Sequence, residues 1–527
     1  MAAEGGGTYK TLDEQVETLS PREQQFERMR RTTGLFLGPV LFALMLVLPL
    51  GLEPEQQRLA AVFVFVIVWW LTEAIPIPVT AVLGLALAII LNAVPQDAED
   101  PAADVVFGAF SSSTIFLFIG GFIIAQAMRV HGLDRRFAFG VLSLPGVAGS
   151  TYRTIIAFGA ISAVLSAFIS NTAAAAMLFP IGMGIVGTLA KMVAEQSEGD
   201  HDPDRLRFAT ALMLMIAYGA SIGGLLTPIG SPPNLIGREF IENETGTRIT
   251  FFDWVATAAP IVFVMFGVLC FVLIALNRPE VRRLEGAEEY VAEERAKLGT
   301  MSRGERNTLI AFGFAVTFWV LPGVVGLIAG DESEIYNNLL DRADEGVVAL
   351  VAAALLFVLP IDWAKRRFTL TWNEASKIDW GTILLFGSGI ALGGLLADTG
   401  LAKVVGTNLA DTLGVSELLT ITLLATVVAV VISETTSNTA SVSIVVPIVL
   451  PIAAAAGVEP LIPALAAVFG SSYGFALPVS TPPNAIVYGS GMVPITKMVR
   501  SGLVFDVIGA VVIVTGVTLM AGVVGLV

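Results

Sequence analysis

Ser166-Ala-Phe-Ile-Ser170-Asn171-Thr172 sits in the middle of a long apolar region, and Ser433-Glu-Thr-Thr-Ser437-Asn438-Thr439 repeats its Ser-x-x-x-Ser-Asn-Thr pattern in a second region of the same kind. The two regions, 154–190 and 416–455, are each too long for a single helix crossing a bilayer core of roughly 30 Å. Pro180 and Pro447 interrupt their second arms, so both read as helical hairpins that enter and leave the membrane on one side. Irregular backbone at that depth is tolerated only beside protein or a water-filled cavity.

The repetition extends in both directions. Tyr218-Gly-Ala-Ser-Ile-Gly, followed by Pro228-Ile-Gly230-Ser231-Pro232-Pro233-Asn234, is echoed by Phe469-Gly-Ser-Ser-Tyr-Gly and Pro478-Val-Ser480-Thr481-Pro482-Pro483-Asn484. Upstream, Leu117-Phe118-Ile-Gly-Gly121 before Gly132-Leu133 matches Leu385-Phe386-Gly-Ser-Gly389 before Gly400-Leu401. Three landmarks keep their order across two units, 59–276 and 308–527. Each unit reads as five spans and one hairpin, and an odd number of spans turns the second unit upside down relative to the first.

Of the 527 residues, 55% are hydrophobic and only 14% charged, a composition of membrane proteins rather than soluble domains. Eleven spans are predicted, near 35–51, 59–75, 78–94, 112–128, 208–240, 254–276, 308–328, 346–362, 380–397, 461–490 and 502–525. Residues 1–34 are too polar to be a cleaved leader and are predicted to stay in the cytoplasm, with 35–58 the first span and its loop and 277–307 a cytoplasmic connector between repeats. This arrangement puts the N-terminus inside the cytoplasmic membrane and the C-terminus outside. All of the 30 Lys and Arg residues except Arg58, Arg238, Arg248, Arg342 and Lys403 then fall on the cytoplasmic side, as the positive-inside rule requires. A net charge of −15 argues against a nucleic-acid partner, and the single cysteine, Cys270, excludes an intrachain disulfide.

Inverted repeats with interrupted helices point to a binding site near the bilayer midplane. A double proline stops a helix and frees carbonyls around Thr227–Ser231 and Leu477–Thr481 that can coordinate a cation. A new half-helix starts just beyond, and its N-terminus favours a carboxylate. Neither hairpin tip nor either Pro-Pro break contains a Lys or Arg, so a divalent anion needs another source of positive charge. Hydroxyl, amide and carbonyl oxygens suit a hard cation such as Na⁺. Histidines occur only as His131 and His201, both in predicted cytoplasmic segments, which disfavours proton coupling. Glu73 and Glu434 are the clearest intramembrane acids; Glu434 is either functional or a structural acid bonded to nearby backbone. A hydrolase inside the membrane would need a base beside the Ser and Thr hydroxyls, and the hairpins supply no His or Lys.

The doubled Ser-Asn-Thr and [Ser/Thr]-Pro-Pro-Asn, with Trp69-Trp70-Leu-Thr72-Glu73-Ala-Ile-Pro76, resemble the divalent anion/sodium symporter family, the INDY-type dicarboxylate and citrate transporters, over residues 35–527. The resemblance implies an all-α elevator-type transporter working as a homodimer in a lipid bilayer, with Na⁺ as coupling ion. It also implies that Ser170, Asn171, Thr172, Ser231, Pro232, Ser437, Asn438, Thr439, Thr481 and Pro482 contact substrate. One Na⁺ would sit among Ser166, Asn171 and Gly230, and a second among Ser433, Thr436, Asn438 and Ser480. Thr in both copies of the motif resembles the C4-dicarboxylate type, with succinate, malate or fumarate as cargo. Sulfate or another divalent oxyanion, and dicarboxylate exchange, stay open on the same scaffold.

Overall fold

The computed structural model describes residues 21–95, 100–196, 206–330, 333–414 and 416–527, which are helical almost throughout. The principal helices are α1 (Pro21–Val47), α2 (Pro54–Thr72), α3 (Ile77–Ile90), α4 (Ser113–His131), α5 (Leu133–Leu142), α6 (Thr151–Ser166), α7 (Asn171–Gln196), α8 (Arg207–Gly223), α9 (Pro232–Thr245) and α10 (Phe251–Leu276). The second half continues with α11 (Arg303–Ala329), α12 (Glu345–Val358), α13 (Trp380–Asp398), α14 (Leu401–Leu413), α15 (Leu418–Thr435), α16 (Asn438–Ala455), α17 (Leu461–Ser471), α18 (Pro482–Tyr488) and α19 (Ile495–Val524). Short helices and one small ribbon, β1 (Pro360–Asp362) antiparallel to β2 (Arg367–Phe368), fill the connections.

Among the described residues, 9 helices are long and apolar enough to cross a membrane. Three of these, α7, α15 and α16, are hairpin arms. The spans expected at 208–240 and 461–490 are each split into two helices, and those at 78–94 and 346–362 fold as helices of 14 residues, about 21 Å long at 1.5 Å per residue. Interruption and shortness, not polarity, keep them below the length of an unbroken span. Side chains such as Phe263, Phe271, Leu327, Ile328, Val507 and Leu519 project from α10, α11 and α19 as exposed apolar surface, the face that lipid covers.

The first span differs from expectation at its start. Its helix begins at Pro21 rather than near residue 35, because Glu27 pairs with Arg30 at 2.7 Å and Arg31 at 3.8 Å on the same face and nothing breaks the helix before Leu35. Residues 1–20 of the expected cytoplasmic segment, with Lys10, lie outside the described residues, as do His201 and Arg205.

From α2 to α10 and from α11 to α19 the chain lays down nine helices in the same order, with the repeated motifs at matching places. Packing obeys the exchange as well. Helix α4 packs on α12 while α13 packs on α3; α6 packs on α8 as α15 does on α17; α7 meets α18 and α16 meets α9; α8 meets α18 and α17 meets α9. Each half thus completes the other, and α10 against α19 closes the pattern on itself. At the centre, every residue from Phe208 to Gly223 and from Leu461 to Ser471 is buried.

Candidate functional site

In the first half, α8 stops at Gly223-Gly224 because the chain there runs against the hairpin backbone: a Cβ on Gly223 would meet the Ala163 carbonyl oxygen at 2.1 Å. The break continues to Ser231, and α9 starts with Pro232 and Pro233 in its first turn, where the missing N–H groups cost nothing. Asn234, fully buried, turns back across the break and donates to the carbonyls of Gly224 at 2.7 Å and Thr227 at 2.8 Å. The carbonyl of Thr227, expected to be free, is therefore partly taken.

The hairpin tip meets this break. Ser166 Oγ donates to Asn171 Oδ1 at 2.6 Å, and Asn171 Oδ1 points at Gly224, 2.3 Å from where a Cβ would stand. A Cβ on Gly230 would lie 2.6 Å from the Gly224 carbonyl, 2.9 Å from that of Ser166 and 3.0 Å from that of Ala167. Three carbonyl oxygens so crowd the one residue without a side chain, beside a hydroxyl and an amide oxygen. That donor set, all neutral oxygen, suits Na⁺. Ser166, Asn171 and Gly230 are brought together.

The second half repeats the construction. Asn484, also fully buried, donates to Gly474 O at 2.9 Å and Leu477 O at 3.0 Å. Ser433 Oγ lies 2.8 Å from both Asn438 Oδ1 and the Ser471 carbonyl, and a Cβ on Gly474 would meet Ser480 Cβ at 2.9 Å and Ser433 O at 3.1 Å. Ser433, Asn438 and Ser480 therefore cluster. The Thr436 hydroxyl instead donates back to Ile432 O at 2.8 Å and offers only its oxygen outward.

Four of the six candidate hydroxyls for substrate share one position, the residue ahead of a helix, while Thr172 and Thr439 lie one residue inside theirs. Ser170 Oγ accepts from Ala173 N at 3.3 Å, Ser437 caps α16, Ser231 precedes α9 and Thr481 caps α18. Each therefore stands at the positive end of a helix. Thr172 and Pro482 are exposed, Asn171, Asn438, Thr439 and Pro232 half-buried, so these ends open to an approaching solute. No hydrogen bond joins Ser170–Thr172 to Ser437–Thr439 among the described residues.

Two intramembrane acids receive explanations. Glu73, in a left-handed conformation at the end of α2 (φ 47°), pairs with Arg30 at 3.5 Å. Arg30 also donates to the Thr435 carbonyl at 2.9 Å, so a cation does reach the second tip in space, although Glu27 and Glu73 neutralise it. Glu434 accepts from Ala476 N at 2.7 Å, Leu477 N at 3.2 Å and Ser480 Oγ at 2.7 Å, fixing the second break to its hairpin. Asn234 and Asn484 were legible as motif residues without a role, and Arg30 carried no sequence signal for its position.

Interrupted helices, helical hairpins and paired oxygen cradles are an arrangement found in polytopic secondary transporters. A family described as the sodium:sulfate symporter transmembrane region matches residues 30–526, and the chain belongs to that family. The sodium-dependent dicarboxylate transporter SdcS of Staphylococcus saprophyticus is 33% identical over 501 residues, 94% of this chain and 92% of its own length. SdcS of Staphylococcus aureus is 32% identical over 485 residues, 91% and 89% of the two chains. Among solved structures, MtrF of Neisseria gonorrhoeae, reported with a class of antimetabolite efflux pumps, aligns over 87% of this chain and 96% of its own with a TM-score of 0.51; at 13% identity the likeness is one of fold.

Proposed function

We propose that the chain is a sodium-coupled symporter that carries a C4-dicarboxylate such as succinate, malate or fumarate across the cytoplasmic membrane. The observation that carries this reading is the pairing, in each half, of a neutral-oxygen cradle with helix N-termini capped by Ser170, Ser231, Ser437 and Thr481. Sodium in the cradles made by Ser166, Asn171 and Gly230, and by Ser433, Thr436, Asn438 and Ser480, supplies the positive charge that the tips lack. The N-terminal N–H groups of α7, α9, α16 and α18 then bind the two carboxylates, with Thr172, Thr439, Pro232 and Pro482 bounding the cargo. Because Asn171 and Asn438 belong to both cradle and tip, cation and anion binding strengthen each other. The SdcS likeness supports both cargo and coupling ion.

In the same reading the working unit is a homodimer. Within each protomer a transport domain moves against a scaffold domain by an elevator mechanism, as the family resemblance implies. The exchange of packing partners between the halves supports a repeat related by a two-fold axis, and the distribution of Lys and Arg favours the N-terminus inside and the C-terminus outside. The family's description favours sulfate as the second candidate cargo. Uptake of labelled succinate by proteoliposomes under an inward Na⁺ gradient tests the proposal: saturable, Na⁺-driven uptake inhibited by malate and fumarate is expected. Uptake that needs only internal succinate makes the chain an exchanger. Sulfate uptake without succinate uptake would replace the cargo.

A further inference from the structure

The 7 tryptophans of the chain divide sharply by place. Trp69, Trp70, Trp254 and Trp319 are buried among the helices, whereas Trp363, Trp372 and Trp380 are 72%, 69% and 45% exposed. All three exposed rings lie between the end of α12 and the first residue of α13. The same stretch carries cations: Lys365, Arg366 and Arg367 follow Trp363 on the ribbon, Lys377 precedes Trp380, and all four are exposed. The turn 363–366 closes where the Arg366 N–H donates to the Trp363 carbonyl at 3.2 Å, so a ring and two of the cations share its tip.

The acids nearby are occupied locally. Glu374 accepts from the N–H and hydroxyl of Thr371 at 2.8 and 2.7 Å, Asp379 accepts from the N–H and hydroxyl of Thr382 at 3.1 and 2.7 Å, and Asp362 pairs with Lys365 at 3.7 Å. Among the described residues no salt bridge engages Arg366, Arg367 or Lys377. The ribbon itself is fixed in place. Asn307 of α11 donates to the Pro360 carbonyl at 3.2 Å and to Thr369 Oγ1 at 2.8 Å, and His131 Nε2 of α4 lies 2.7 Å from the Thr369 carbonyl.

Its depth follows from α12. The 14 residues of that helix span about 21 Å, short of a hydrocarbon core of roughly 30 Å. The ribbon that follows the exposed Val358 therefore starts at the membrane boundary rather than beyond it. Trp380 likewise opens α13 one turn from the exposed Leu384 on the same face. Tryptophan is favoured at headgroup level, and cations beside it attract anionic lipid. A soluble acidic partner would match the cations but not rings that run on into lipid-facing apolar side chains. A zwitterionic headgroup brings its own ammonium, so unpaired cations favour a headgroup of net negative charge.

We propose that the connector between α12 and α13 is a docking surface for anionic phospholipid, with Trp363, Trp372 and Trp380 seated in the headgroup layer and Arg366, Arg367 and Lys377 on lipid phosphates. The planar arginine fork can bind two phosphate oxygens at once. The surface shares no residue with the two cradles, and it stands or falls independently of the cargo.

Tryptophan fluorescence of the full-length protein in phosphatidylcholine vesicles, with an equal fraction of either brominated phosphatidylglycerol or brominated phosphatidylcholine, tests the surface. The quenching that disappears in Trp363→Phe/Trp372→Phe/Trp380→Phe belongs to the three exposed rings. Brominated phosphatidylglycerol is expected to quench that component more strongly than brominated phosphatidylcholine, with a preference that shrinks as salt is added. Lys377→Gln is expected to lower the preference about fivefold, and Arg366→Gln/Arg367→Gln to lower it further. Equal quenching by the two lipids, or a preference that survives all three charge removals, overturns the proposal. So does quenching of the three rings by aqueous acrylamide and by neither lipid, which would place them in water.

Discussion

Replacing Asn484 with Ala removes the side chain that holds the second break in shape. Its amide donates to Gly474 O at 2.9 Å in a buried pair and to Leu477 O at 3.0 Å in a partly buried one. An orphaned buried acceptor costs about 1–3 kcal/mol, so two cost about 2–6 kcal/mol, and the loss of the unpartnered Asn484 Oδ1 returns part of this, leaving about 2–4 kcal/mol. The helices α17 and α18 stay packed on their neighbours, so the strain falls on the break rather than on the whole fold. A break destabilised by that amount populates its binding-competent form roughly 30- to 1,000-fold less, at tenfold per 1.4 kcal/mol. The Na⁺ concentration for half-maximal uptake is expected to rise by at least tenfold, with a thermal unfolding midpoint in detergent that Na⁺ no longer raises. Asn234→Ala repeats the experiment in the first half. Unchanged Na⁺ dependence in both variants would refute the argument that these amides shape the cradles.

Asn171→Ala and Asn438→Ala are expected to abolish succinate uptake while size-exclusion profiles stay those of the wild type; normal uptake by both refutes the site. Gly230→Ala places a methyl group where three carbonyls converge and is expected to eliminate Na⁺-induced stabilisation, measured by thermal shift with and without Na⁺. Arg238, its side chain 8% exposed, pairs with Glu345 at 2.7 Å and Glu242 at 3.1 Å. Arg238→Met strands both acids and is expected to destabilise the protein by about 3–5 kcal/mol, read as a lowered melting temperature, with Lys rescuing only part because it cannot bridge the two as a fork.

Much of the architecture was legible because the sequence states it twice. Ser-Asn-Thr and Pro-Pro-Asn each mark a place where a helix starts afresh, and helix starts are specified by a handful of local residues. The site residues legible in this way are those whose neighbours lie within a few positions, such as Ser166 with Asn171. Arg30 escaped because its partners, Glu73 and Thr435, are distant in the chain, and no local pattern announces such a meeting. Trp363, Trp372 and Trp380 escaped for another reason: the first unit has no echo of them, and attention to what repeats passes over what does not. The early start of α1 was hidden by polar residues that form a helix through their mutual ion pairs rather than through apolar periodicity.

The swapped packing of the two halves gives this molecule an internal control for every experiment done on it. A change at Asn171 has its counterpart at Asn438, one at Gly224 has Gly474, and the paired variants can be compared under identical lipid, salt and temperature. Where the paired variants agree, the effect belongs to the shared chemistry of break and hairpin. Where they diverge, the difference isolates what only one half possesses, and Ala167 against Glu434 is the place where that divergence is written most plainly.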